Sequence, residues 1–172
     1  MREIGPLATP IDRLDAQGYV NVDRRTLAEV EPWLRWSPAL CAIVMAIGTV
    51  LGSQWVLWGL VPFAALGAVF PRHPFDLVYN HAVRRLTRTS ELPRHGAPRR
   101  FACGVASVWL VATGAAFASG IEPLGYALGG MLVAVAALVS TTHFCIPSLI
   151  YGLLFGRPRC EATPVSPARP AT

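Results

Sequence analysis

Residues 38–70 read PALCAIVMAIGTVLGSQWVLWGLVPFAALGAVF, with no ionisable side chain except the Cys41 thiol. A soluble core of this length would still turn charges toward water on its outer faces, so these faces meet lipid. A second run, 101–155, repeats the pattern: its titratable groups are Glu122, His143, Cys103, Cys145, Tyr126 and Tyr151. Nearly all of the arginines lie between or outside the two runs, and the chain has no lysine. A hydrophobic share of 53% and a mean hydropathy of +0.44 agree. The sequence therefore describes an all-α, polytopic membrane protein.

Span number follows from length. Crossing about 30 Å of hydrocarbon at 1.5 Å per residue takes roughly 20 apolar residues. Gly52-Ser53-Gln54 breaks the first run, so 38–52 and 54–70 form a tight hairpin of two short spans. Residues 101–119 form a third span, ended by Ser119-Gly120, and 124–145 a fourth, with Pro147 ending the ladder and 148–155 a short terminal helix. Four transmembrane helices thus pair as two hairpins. Loop 71–100 carries Arg72, Arg84, Arg85, Arg88, Arg94, Arg99 and Arg100 against Asp76 and Glu91, whereas the opposite turns carry no arginine. The positive-inside rule puts this loop and both termini in the cytoplasm, and Arg157 and Arg159 agree. A polar, acidic N-terminus without a signal-peptide pattern leaves insertion to the internal spans.

Flanking segments complete the plan. Residues 1–36 read as a cytoplasmic segment, 37–156 as the membrane domain and 157–172 as a proline-rich disordered tail. In 24–36, Leu27, Val30 and Leu34 recur at helical spacing beside the interfacial aromatics Trp33 and Trp36. In 74–88, Phe75, Val78, Tyr79, Ala82 and Leu86 form a stripe, with Asp76, Asn80, Arg84, Arg85 and Arg88 off it. Both segments suit interfacial amphipathic helices, with Arg84, Arg85, Arg88, Arg99 and Arg100 against anionic headgroups. Gly48 with Gly52, and Gly125 with Gly129, are small-xxx-small pairs that let helices approach, within the bundle or between copies.

Chemistry-bearing residues fall in PRHPFDLVYNH (71–81) and THFCIPSLIYG (142–152), which the topology brings to one membrane face. His73, Asp76, His81, His143 and Cys145 are of the types that ligate zinc, iron or copper, and a thiol near histidine and arginines is of the reactive kind. The plainer reading makes His73 and Asp76 helix caps and Cys145 an apolar filler. Walker, GxGxxG, HExxH and GxSxG motifs are missing.

Three stretches together resemble the bacterial membrane family called domain of unknown function 4395: PRHPFDLVYNHAVRR (71–85), RRFACG (99–104) and HFCIPSLIYG (143–152). The resemblance spans about residues 22–156 and implies apolar spans flanking a basic central loop. Members often carry two cysteines in the last motif, and here Ser148 stands at the second position. The family supplies a topology but no activity, cofactor or partner. The expectation is a non-enzymatic bacterial inner-membrane scaffold or accessory subunit that contacts lipid and other membrane subunits or itself, and no nucleic acid. The rival is a thiol or metal site at the cytoplasmic face.

Overall fold

The computed structural model describes residues 9–19, 22–87 and 89–156, and these are all-helical. Short helices α1 (Pro10–Ala16) and α2 (Arg24–Val30) lead through a 3-10 turn at Glu31–Arg35 into α3 (Trp36–Val50). The hairpin partner α4 (Gln54–Val69) is followed by α5 (Pro74–Val78), a π-helical turn at Tyr79–Val83 and α6 (Arg84–Thr87). Helices α7 (Ala97–Ala118) and α8 (Glu122–Thr142) form the second hairpin, and α9 (Ile146–Phe155) closes the described chain. Both apolar runs thus fold as hairpins.

Arg24–Val50, Ala97–Ala118 and Glu122–Thr142 are each long and apolar enough to cross a membrane. Gln54–Val69 qualifies only jointly with Pro74–Thr87, from which it is bent by 84°. Three to four candidate spans result. The bend lays 74–87 nearly perpendicular to α4. Both hairpin tips lie at the opposite end: Gly52, at φ 58°, approaches Phe117 and Tyr126 beside the α7–α8 turn.

The bundle interior is built from Met45, Leu57, Leu60, Leu110, Phe117 and Leu132, one stripe from each hairpin helix. The glycine pairs are used here. Side-chain atoms of Leu57, Phe117 and Thr49 stand within 3 Å of where a Cβ would be on Gly48, Gly125 and Gly129 respectively. These glycines admit neighbours of the same bundle.

A second core sits at the polar end. Leu14, Tyr19, Leu27, Val30, Leu34, Tyr79 and Leu92 are almost fully buried together. The Leu27/Val30/Leu34 stripe therefore packs under a small polypeptide cap. Trp33 lies 5.2 Å from Tyr79 within that cap. In 74–87 the burial only partly follows the expected stripe: Tyr79 is buried, but so are Asp76 and Asn80, while Val78 and Leu86 are 53% and 86% exposed. The reason is polar pairing, since Asp76 caps α5 and bonds Ser37, and Asn80 Oδ1 accepts from Leu92 N–H at 2.9 Å. The apolar Val78 and Leu86 are left exposed.

The fourth span also ends earlier than its proline suggests. His143 adopts a left-handed φ of 56°, an unusual C-cap for a side chain other than Gly or Asn. Pro147 then occupies the first turn of α9, where its missing N–H costs nothing. The expected tail 157–172 lies outside the described residues.

Candidate functional site

A cavity of about 590 Å³ opens inside the polar half of the bundle, within the size range of small-molecule sites. Its walls come from α3, α4, α7, α8 and the start of α9: Met45, Ala64, Ala106, Trp109, Leu132 and Ala136 are representative. At the polar end it is bounded by Gln17, Ser37, His73 and Arg99, and three thiols, Cys41, Cys103 and Cys145, also line it. All three thiols are free.

Helix geometry explains why they meet. Cys41 lies five residues into α3 and Cys103 six into α7, both about 8–9 Å along helices that start at the same end. Cys145 joins them from the α8–α9 break, where it is the N-cap of α9. Cys41, Cys103 and Cys145 thus come to one cavity from three different parts of the chain. Ser148 O–H donates to Cys145 Sγ at 3.1 Å and reaches Pro98 O at 3.2 Å.

The polar boundary is organised around Arg99. Its Nη1 donates to the Tyr19 hydroxyl at 2.6 Å, and Asp76 and the cavity thiols lie within its electrostatic reach. Asp76 in turn accepts from the Ser37 hydroxyl and from His73 N–H, the latter at 3.3 Å. A buried guanidinium without such partners would be costly, and Tyr19 with Asp76 is what holds it there. Arg99 was expected among headgroups; the structure buries it under the N-terminal cap instead.

His73 caps α5: its Nδ1 accepts from Phe75 N–H at 3.3 Å, which leaves the proton of the neutral ring on Nε2. Burial lowers the His73 pKa, Asp76 opposing and Arg99 adding to the fall. The ring fits because residue 67 is glycine. A Cβ there would stand 2.5 Å from His73 Cδ2, 3.3 Å from its Nε2 and 3.2 Å from Cys103 Sγ. His73 and Cys103 are therefore neighbours across one missing side chain. Behind them His95 is buried with no hydrogen-bond partner for either ring nitrogen among the described residues, and burial, then Arg99, lowers its pKa.

A separate cluster surrounds His143. Its Nε2 is 2.7 Å from Glu31 Oε1 and 3.0 Å from Arg35 Nε, while Arg35 Nη2 donates to Glu31 Oε1 at 2.7 Å. With a proton on Nε2 the ring donates to Glu31; without it, Nε2 accepts from Arg35. Gln17 Nε2 donates to His143 O at 2.7 Å and Arg13 Nη1 to Thr142 O at 2.8 Å. The cap thus satisfies the last carbonyls of α8.

The five expected ligands consequently do not form one centre. His73 and Asp76 bound the cavity from α5, Cys145 lines it, His143 belongs to the Glu31–Arg35 cluster, and exposed His81 bonds Leu77 O at 2.8 Å. Among the described residues no group of three or more His, Cys, Asp or Glu is arranged to hold a metal. The cause is the break between α8 and α9, where His143 turns in the left-handed region toward Glu31 and Arg35 and Cys145, in extended backbone, lines the cavity. Of the remaining expected headgroup contacts, Arg84 and Arg85 line an outer polar recess with Arg72, His81 and Glu91. Arg100 donates to Ala68 O and Val69 O at 2.9 and 2.6 Å, capping α4, and Arg88 lies outside the described residues. Tyr19, Ser37, Cys41 and Cys103 were not anticipated. The equal depth of Cys41 and Cys103 from the starts of their spans was the one signal available for the thiols.

A family profile described as "Domain of unknown function (DUF4395)" matches residues 31–155. That range includes Cys41, His73, Asp76, Arg99, Cys103 and Cys145. No curated protein and no solved structure shows significant similarity to the chain.

Proposed function

The chain belongs to the DUF4395 family, and from that premise we propose that it is a membrane-embedded binding protein for a small amphipathic molecule with a hydrogen-bond-accepting head. The head sits at Arg99 and His73 Nε2–H, and the apolar body lies along the walls supplied by α7 and α8. One observation carries the reading: a cavity of about 590 Å³ with apolar walls has its few polar donors gathered at one end and three free thiols around it. The arginine-rich loop supports seating the polar end of the cavity at the cytoplasmic face of a bacterial inner membrane. Lipid is the solvent around it.

The test uses the full chain in lipid nanodiscs and a long-chain ketone carrying a diazirine. Photolabelling is expected on peptides covering 101–109 and 131–139, and unlabelled ketone should compete. Ala136→Trp, which fills the cavity from α8, should lower saturable labelling on the order of tenfold, equivalent to about 1.4 kcal/mol of binding. Labelling confined to outward-facing positions such as Val50 and Leu153, and indifferent to Ala136→Trp, overturns the reading.

A further inference from the structure

We propose that the molecule held in the cavity is a quinone, and that Cys103 with a neighbouring thiol reduces it. The proposal rests on the binding reading above and adds a reaction to it. The polar end offers donors: Arg99 spends one N–H on Tyr19, out of the five a guanidinium carries, and the His73 ring keeps its proton on Nε2. Such donors match a carbonyl or a carboxylate equally well. A carboxylate, however, leaves the three thiols of the same cavity without a role, whereas a quinone engages both features. Its carbonyl oxygens accept from Arg99 and His73, and its ring accepts the electrons that thiols supply.

Cys103 is the member placed to begin. It is the thiol beside His73 across the Gly67 gap, and Cys41 and Cys145 line the same cavity. Its sulfur bonds to a ring carbon of the quinone; the second thiol then attacks that sulfur and expels the ring as hydroquinone. Two S–H bonds break and one S–S bond forms. The released electron pair and both thiol protons end on the quinone, whose two carbonyl oxygens become hydroxyls. Ser148, donating to Cys145 Sγ, holds one of the two possible partner sulfurs at the cavity. The late motif thus needs no second cysteine of its own, because Cys41 and Cys103 arrive from other helices.

The experiment uses full-length protein with Cys160→Ser, so that only the cavity thiols are counted. Reduced protein in nanodiscs is mixed anaerobically with decyl-ubiquinone, and free thiols and hydroquinone are measured together. Two thiols should disappear per hydroquinone formed, and Cys103→Ser and Cys103→Ala should each abolish both changes. Cys41→Ser and Cys145→Ser, measured separately, identify the partner as the one whose loss stops the reaction. Displacement of the diazirine ketone by the quinone is read in the same samples. Displacement without thiol loss overturns the redox step and leaves the binding reading standing; neither displacement nor thiol loss overturns both. Undiminished turnover in both Cys103 variants also ends the proposal.

Discussion

Two histidine-centred clusters lie at the same end of this bundle and are built in opposite ways. Around His143 the groups are mutually saturated: Glu31, Arg35 and the ring form a closed triangle, and Gln17 and Arg13 take the exposed carbonyls of α8. Around Asp76 and Arg99 the pairing is only partial on the cavity side, where His73 Nε2–H, a guanidinium and three thiols border open space. The first cluster fastens the cap to the spans. The second borders a cavity, and its guanidinium and imidazole carry more N–H donors than their side-chain hydrogen bonds use. Polarity alone does not separate a fastening from a site; where the unused donors point does.

The difference breaks most severely at Asp76. This carboxylate accepts from Ser37 and His73 and provides charge near buried Arg99, so its removal strands a cation in a low-dielectric interior. Asp76→Ala is expected to cost about 2–4 kcal/mol, because it leaves the buried Ser37 hydroxyl and His73 N–H without their acceptor, at about 1–3 kcal/mol each. Thermal unfolding in detergent measures it. Asp76→Asn, which keeps the acceptor oxygen but not the charge, should recover part of the loss. Equal stability of wild type and Asp76→Ala would mean that Arg99 is not held by this pairing.

Acidification should act next most strongly, on both clusters at once. His73, His95 and His143 all have pKa values lowered mainly by burial, so the folded state binds fewer protons than the unfolded chain, whose histidines titrate near 6.5. Stability is therefore fully present above that pH and falls as pH drops below it. The slope is on the order of 1.4 kcal/mol per pH unit for each histidine that stays neutral. His143 contributes least, because Glu31 favours its charged form. His95→Leu removes an imidazole whose two nitrogens have no hydrogen-bond partner among the described residues and which lies in the field of Arg99, Asp76, His73 and Arg100. Its melting temperature should vary less between pH 7 and 5 than that of wild type; an unchanged pH profile would take His95 out of this account.

The two clusters were also unequally legible in the sequence. Span positions followed from a local property, absence of charge, and the helices begin and end within a few residues of Gly52, Ser119 and His143. His73 and Asp76 as caps of α5 were likewise legible, because capping is a contact over three residues. Arg99 was not. Its hydroxyl partner Tyr19 lies eighty positions away, and an arginine count gives orientation without depth. Cys41 and Cys103 read singly as apolar fillers; only the parallel direction of α3 and α7 brings them level. The Glu31–His143 contact spans 112 positions and has no local signature either.

The fastening cluster should tolerate damage better. Glu31→Gln keeps an oxygen for Arg35 but removes the charge shared with His143, and the loss expected for a charge-assisted hydrogen bond is about 1.5–3 kcal/mol. Limited proteolysis is the sharper readout, since weakening this contact should expose cleavage around 17–23 while leaving diazirine labelling of the cavity in place. Loss of labelling in parallel with the new cleavage would show that the two clusters act as one unit.

The smallest effect belongs to the outer recess, where charge is plentiful but wet. Arg72 Nη2 lies 2.6 Å from Glu91 Oε1, and Arg84 Nη1 lies 3.7 Å from the other oxygen, with each side chain roughly a third to two-fifths exposed. Exposed pairs give back most of their Coulomb energy to water and salt, so Glu91→Gln should change stability by about 0–1 kcal/mol. The substitution also frees two guanidinium groups beside Arg85 and His81. Association with anionic vesicles should then rise slightly at low salt and return to the wild-type value as salt is added. Detergent-solubilised Glu91→Gln melting within the error of wild type, beside a much less stable Asp76→Ala, is the outcome that separates a carboxylate in water from one that neutralises a buried cation.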